Sequence, residues 1–214
     1  MFTPNVDHVV LAERDARLRE AYSATDLSLV DGVPVLWAAS VLGTPLPEKI
    51  SGSDLLLPLV ARAAHCGWRV YLLGGRDGVA QRAKEILEGR YPGLSIVGTG
   101  SPAIDLMKGL SEQENVLAAV RAARPHLLFL ALGAPKQEIW AYRTRDVLRP
   151  AVMVCVGAAL DFVAGVAKRA PRWMSAAGLE WLYRLAQEPK RMSRRYLLRD
   201  PQFAAIVARQ WWQR

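Results

Sequence analysis

The sequence predicts an α/β protein: a Rossmann-like parallel sheet with helices on both faces, followed by a small helical C-terminal appendage. Three observations carry this. The strand-length apolar runs, such as WRVYLLGG, HLLFLALGAP and AVMVCVGAAL, are continuous rather than alternating, which marks strands buried on both faces. Segments with helical apolar spacing separate them, which makes the sheet parallel. Beyond about Gly165 the strand pattern stops and only helical spacing remains. The expected division is 1–165 for the Rossmann-like domain and 166–214 for the basic, aromatic appendage.

Taken in order, VDHVVLAERDARLREAY has the apolar spacing of a helix. DLSLVDG reads as a short strand ending in Asp31-Gly32. SDLLLPLVARAAHC reads as a helix opening on a serine N-cap, with Pro58 inside its first turns. WRVYLLGG is a buried strand stopped by glycines, GVAQRAKEILEGRYPG a helix with a Pro-Gly stop, and LSIVGTG a strand. SEQENVLAAVRAA reads as a helix with a capping-box-like start. HLLFLALGAP and AVMVCVGAAL are strands with the helix KQEIWAYRTRDVL between them, and PQFAAIVARQWWQR is a last helix. Ligands of such sheets bind at the carboxyl ends of the strands. That directs attention to Asp31-Gly32, Gly74-Gly75, GAPKQE and GAALD.

Composition narrows the function classes. The chain has 214 residues, 51% of them hydrophobic, enough for one good-sized core. Its net charge of +8 favours anionic partners. The excess is local: from Gly165 to Arg214 eleven Lys and Arg face three acids, Glu180, Glu188 and Asp200. Cys66 and Cys155 lie far apart in apolar runs and read as buried free thiols, which fits a reducing compartment. His8, His65 and His126 are scattered, whereas metal sites need clustered ligands. The start MFTPNVDHVV lacks the basic region and long apolar core of a signal peptide. No apolar run reaches the roughly 20 residues of a membrane-spanning helix.

The common nucleotide and hydrolase signatures are missing, among them G-x-x-x-x-G-K-[ST], G-x-G-x-x-G, H-E-x-x-H and G-x-S-x-G. So is the D-x-D acidic pair with which many sugar-nucleotide enzymes hold a divalent ion. Asp31, at a strand end beside a glycine, can serve as a general base or simply form an Asp-Gly turn. In LGAPKQE the backbone N–H groups of a helix start favour a phosphate, and Gln137 can read a base edge or a sugar hydroxyl. The same stretch also suits an ordinary strand-to-helix turn. Asp161 is a lone acid in an apolar run, either functional or a helix cap. In EWLYRLAQEPKRMSRR the arginines 184, 191, 194 and 195 recur among aromatics. Three uses stay open: a nucleic-acid platform, although no nucleic-acid signature is present; a solvated basic helix; or a helix pair offering Arg to lipid phosphates and Trp to the interface.

Together, TPN at Thr3 to Asn5, DG at Asp31, PLPEKISGSDL, VYLLGG, YPGLSIVGT, LGAPKQE, VGAALDFVAG, RAP and GLEWLYRLAQEPKRMSRR carry a family likeness. In this order, over nearly the whole chain, they resemble the WecG/TagA/CpsF glycosyltransferase family. The resemblance implies an inverting, metal-independent glycosyltransferase without a cofactor. Such enzymes move a sugar, N-acetylmannosamine or a related hexose, from a UDP-sugar to a lipid-linked acceptor. The acceptor is an undecaprenyl-diphosphate-linked N-acetylglucosamine or similar, in surface polysaccharide or teichoic acid synthesis. By resemblance Asp31 is the catalytic base and Thr3 lies beside it. Asn5, Gln137 and Asp161 match donor-pocket positions, and Arg184, Arg191 and Arg194 match appendage arginines that engage the diphosphate. The resemblance also implies a cytoplasmic protein, peripheral at the inner face of the bacterial plasma membrane. Its partners would be an anionic membrane surface and not nucleic acid, with homo-oligomers known among relatives. A non-catalytic binder of nucleotide-sugar or polyprenyl phosphate, with the same fold, is the alternative. Two departures stand out. Members carry a further strand and helix before TPN, whereas Met1 lies two residues before Thr3. Lys49 stands where many members have arginine, which keeps the charge and loses the bidentate fork.

Overall fold

The computed structural model describes residues 1–176 and 178–213, the side chains of Arg172, Ala176 and Arg191 excepted. Three helices come first, α1 (Val6–Arg14), α2 (Ala16–Ser23) and α3 (Val33–Val41), then α4 (Gly52–Cys66). Strands and helices alternate from there: β1 (Arg69–Gly74), α5 (Val79–Arg90), β2 (Ser95–Gly100), α6 (Glu114–Ala123), β3 (Leu127–Ala131), α7 (Lys136–Thr144) and β4 (Val152–Cys155). A short α8 (Ala159–Val163) leads into α9 (Arg172–Ala176), α10 (Glu180–Gln187), α11 (Pro189–Ser193), a π-helical turn at Arg194–Arg199 and α12 (Gln202–Trp212).

The four strands are parallel, in the order β2-β1-β3-β4. Successive side chains on a strand point to opposite faces, and here both sets are apolar. Val70, Leu72, Leu127 and Phe129 pack with α4 and α5 in one core. Tyr71, Leu73, Leu128 and Leu130 pack with α6 and α7 in the other. This two-sided burial is what the uninterrupted apolar runs express.

Past β4 the sheet is extended by the chain's first residues. Met1 donates to the Met153 carbonyl (2.7 Å) and accepts from the Cys155 N–H (3.1 Å). Phe2 in turn donates to Leu27 (3.0 Å) and accepts from Leu29 (2.9 Å), forming one parallel bridge with Ser28. The expected DLSLVDG strand is therefore reduced to that bridge. Pro4 is the reason: its carbonyl accepts from Asp31 (2.8 Å), but it has no N–H with which to continue the ladder.

Other local expectations shift for identifiable reasons. The long first helix is two helices. Asp15 turns extended (φ −114°, ψ 104°), closes α1 with its N–H on the Leu11 carbonyl, and caps α2 by accepting from the Arg17 N–H. The cap of α4 is Ser51, not Ser53, in a reciprocal box with Asp54. The capping-box start expected before α6 is instead a 3-10 turn at Leu110–Gln113 without a side-chain cap. Cys155 is buried as expected, but Cys66 is exposed. The buried stripe of α4 runs through Leu56, Val60 and Ala63, and Cys66 is the last residue of the helix, beyond that stripe's end. Helices α3 and α8 had no counterpart in the sequence reading.

Between β1 and β3 the chain reverses its direction of travel across the sheet, so the connections that leave their carboxyl ends pass to opposite faces and leave a crevice between them. Gly74 sits at this point, paired with Ala131. Its φ is +117°, and a Cβ there would lie 2.5 Å from the Ala131 carbonyl carbon. Gly74→Ala is expected to destabilise the protein by about 3 kcal/mol, read as a lowered urea midpoint at unchanged m-value. An unmoved midpoint would mean that β1 and β3 can part at no cost.

Candidate active site

A cavity of about 510 Å³ opens at the switch point between β1 and β3. Its floor is backbone-rich: Gly75 follows β1, Leu132 to Ala134 follow β3, and Val156 to Ala158 follow β4. Lys136 and Gln137 enter from the first turn of α7, and Asp161 from α8. The extended edge delivers Thr3, Asn5 and Asp31 to the same space. Thr3 is buried and its hydroxyl donates to the Cys155 carbonyl (3.4 Å).

Asp31 is held where the extended edge turns into α3. Gly32, the residue before that helix, has φ +133°, a value that only glycine adopts without strain. Burial raises the Asp31 pKa above the ordinary carboxylate value, and the Glu180 carboxylate adds to the rise. Arg184, Lys49 and His8 pull it partly back. A carboxylate so placed is a stronger base than one in water.

A polar chain runs through the cavity wall. Asn5 Oδ1 caps α1 by accepting from the Asp7 N–H (3.1 Å) and lies 2.8 Å from His8 Nδ1. His8 Nε2 is 3.3 Å from Glu138 Oε1, and Gln137 Nε2 donates to the same oxygen (2.7 Å). Gln137 Oε1 accepts from the Gly157 N–H (3.2 Å). Both ends of the Gln137 amide are thus fixed, one by its neighbour Glu138 and the other by the Gly157 N–H. His8, which also lines the cavity, and the fully buried Glu138 carry no signal in the sequence, because the elements that pair them lie far apart in the chain.

The appendage closes the other side. Arg184, Arg195 and Arg199 line the cavity. Of the expected arginines, Arg184 is therefore at the site. Arg194 is exposed and lies outside the cavity lining. The side chain of Arg191 lies outside the described residues. Arg195 was noted in the sequence among the recurring arginines but not assigned to the site, and Arg199 was not noted. They are aimed inward by Asp7, a buried carboxylate in the first turn of α1. Its oxygens lie 3.4 Å from Arg195 Nε and 2.8 Å from Arg199 Nε. Arg195 also donates to Asn5 Oδ1 (3.1 Å). Further out, Arg209 pairs with Glu13 (2.7 Å) and Arg14 donates to Gln202 (2.5 Å). The four-residue spacing of Arg195 and Arg199 was visible in the sequence, but their acidic partner near the other terminus was not.

A second cavity, about 360 Å³ and mainly apolar, lies between α3 and the appendage. Val33, Pro34, Trp181, Tyr196 and Phe203 line it, with Lys49 and Glu180, themselves 3.7 Å apart. Asn5, Asp31, Arg184 and Arg195 belong to both cavities. Among the described residues no group of three or more His, Cys, Asp or Glu could hold a metal ion.

With this geometry in hand, the comparisons with known proteins are specific. The profile of the Glycosyl transferase WecG/TagA/CpsF family matches residues 1–214. The chain is 31% identical over 196 residues to an N-acetylglucosaminyldiphosphoundecaprenol N-acetyl-beta-D-mannosaminyltransferase of Bacillus spizizenii (strain ATCC 23059 / NRRL B-14472 / W23), covering 92% of this chain and 73% of that protein. It is 29% identical over 210 residues to the protein of the same name from Bacillus subtilis (strain 168), covering 97% of this chain and 78% of the relative.

Removing the Asp7 carboxylate leaves Arg195 and Arg199 partly buried without it. Asp7→Ala is expected to cost about 3 kcal/mol and to speed tryptic release of the appendage. Thermal unfolding and a digestion time course check both. Unchanged digestion would mean that the outer pairs between α1 and α12 hold the appendage alone.

Proposed function

The chain belongs to the WecG/TagA/CpsF glycosyltransferase family, and from that membership we propose the reaction it performs: transfer of a sugar from a UDP-sugar to an undecaprenyl-diphosphate-linked acceptor sugar, with inversion. The observation that carries this reading is the position of Asp31 on the wall shared by two cavities of different character. One is polar and ringed by backbone N–H groups and arginines, which suits a nucleoside diphosphate. The other is mainly apolar and opens toward the appendage, which suits the acceptor end of a lipid-linked sugar.

In this mechanism the donor sugar lies between the two cavities with its diphosphate toward Arg76, Arg184, Arg195 and Arg199. The acceptor hydroxyl attacks the anomeric carbon from the Asp31 side, and the Asp31 carboxylate takes its proton. The bond to the leaving diphosphate breaks on the opposite face, so the configuration inverts. Negative charge grows on the leaving UDP, and the arginines together with the N–H groups at the start of α7 stabilise it. No step requires a divalent ion or a cofactor. The donor sugar we assign is N-acetylmannosamine, the sugar in the names of both Bacillus relatives.

The same reading gives residues 166–214 the role of a docking lid on a catalytic domain of residues 1–165. Among the described residues no helix is long and apolar enough to cross a membrane. The appendage exposes Trp173, Leu197, Leu198, Trp211 and Trp212 alongside its excess of cations. Aromatic rings and arginines of this kind suit a peripheral position on an anionic leaflet, which for this substrate is the cytoplasmic face of the plasma membrane.

UDP release in EDTA, from a panel of UDP-sugars with and without a short-chain prenyl-diphosphate-N-acetylglucosamine, tests the assignment. Acceptor-dependent release with UDP-N-acetylmannosamine is expected; silence across the panel would overturn it in favour of a non-catalytic binder. Asp31→Asn is expected to lower transfer by about 10²- to 10⁴-fold while donor binding persists. The active form of Asp31 is ionised and its pKa is raised. Activity should therefore fall with decreasing pH earlier than for an ordinary carboxylate, and a flat profile down to that range would remove Asp31 as the base.

A further inference from the structure

Helix α3 is the least expected element of the fold and the least explained by it. Its nine residues, VPVLWAASV, include one polar side chain, Ser40. The stretch from Gly32 to Pro47 carries no charge at all. A helix apolar on all sides belongs in a protein core or in a lipid environment. In α3 only Ala38 is buried. Trp37 is 66% exposed and Val41 60%, and Leu46 beyond the helix is 43% exposed. Pro34, Trp37 and Val41 are all exposed, and at spacings of three and four they form one stripe.

The surroundings of this stripe indicate what covers it. Val33 and Pro34 form a wall of the second cavity, and Trp181, Tyr196 and Phe203 of the appendage form the facing wall. Gly178 lies directly against Val33. The stripe is thus continuous with the mouth of the cavity assigned to the lipid-linked acceptor. The opposite rim belongs to the appendage, a segment with eleven cations against three acids. Arg184 and Arg195 line the cavity together with Glu180 and Asp200, and elsewhere on the segment Lys190, Arg194 and Leu197 are exposed. An uncharged face bearing a Trp, packed beside a segment of net positive charge and opening onto an apolar cavity, matches the interfacial zone of an anionic bilayer.

We propose that α3 is a second membrane-contacting element, whose Pro34–Trp37–Val41 stripe, continued by Leu46, enters the interface of an anionic bilayer beside the acceptor entrance. The proposal rests on the acceptor reading of the second cavity. Contact at α3 and at the appendage grips the membrane on two sides of the opening, so that the lipid diphosphate enters without leaving the leaflet and the prenyl chain passes along α3.

The test is flotation of the full chain with vesicles of phosphatidylcholine and phosphatidylglycerol, compared with a Trp37→Glu/Val41→Glu variant. Both side chains are exposed and neither lines a cavity, so folding and transfer to a water-soluble short-chain acceptor should be unchanged. Vesicle affinity should fall by about tenfold or more. Trp37→Phe should reduce the quenching of tryptophan fluorescence by lipids brominated near the head group. Equal vesicle affinity of variant and parent would overturn the proposal. So would a dimer, seen by light scattering, that the double substitution dissolves, since the stripe would then be a contact between copies. Failure of the soluble-acceptor assay in the parent protein would instead count against the proposed reaction and leave the vesicle comparison readable.

Discussion

The arrangement of the candidate site depends on one buried carboxylate. Asp7 lies in the first turn of α1 and is almost inaccessible, yet two guanidinium groups from the far end of the chain reach it. Desolvating such a group cancels much of the attraction it gains, so a cluster of this kind adds little net stability. Its effect is directional. With Asp7 in place, Arg195 and Arg199 point inward and their neighbours Leu197 and Leu198 point outward. The four-residue spacing of the two arginines helps, because it places 195 and 199 on the same side of the helical segment.

A second constraint comes from the edge of the sheet. Met1 and Phe2 lie beside β4 as a parallel extension, and the segment near Ser28 lies beside them. Thr3, Asn5 and Asp31 are therefore at the carboxyl edge for the same reason as Gly75 and Gly133: each follows a piece of parallel chain. Pro4 ends the ladder, and Gly32 turns the chain into α3. Two residues of special backbone character thus set the position of the proposed base, and the buried chain from Asn5 through His8 and Glu138 to Gln137 fixes the groups around it.

The two cavities meet at Asp31, Asn5, Arg184 and Arg195. Residues 1–165 supply most of the wall of the polar cavity, and the appendage supplies most of the wall of the apolar one. Neither part alone encloses both cavities. In the proposed reaction this division accounts for the chemistry of the tail: a surface that meets both a diphosphate and a lipid needs arginines on one side and aromatics on the other.

Much of this was legible in the sequence. Continuous apolar runs specify a two-sided parallel sheet, since no other arrangement buries both faces of a strand. Glycines and polar residues directly after those runs mark the ligand edge. Hence Asp31, Gln137 and Asp161 could be singled out from position alone, and the family likeness followed from the motifs in their order. What the sequence could not show depends on contacts between segments far apart in the chain. The pairing of Asp7 with Arg195 and Arg199 joins residues that no local pattern connects, and Arg194 was as good a candidate as Arg195 until the fold set Arg195 against Asp7 and Asn5. The loss of the DLSLVDG strand depended on which residue came to lie beside it, and that residue was a proline. The exposure of α3 inverts the rule that apolar helices are buried, and only the packed structure reveals it. Periodicity determines which residues share a face; tertiary structure alone decides what that face meets, because burial and pairing are properties of neighbours that the chain brings from elsewhere.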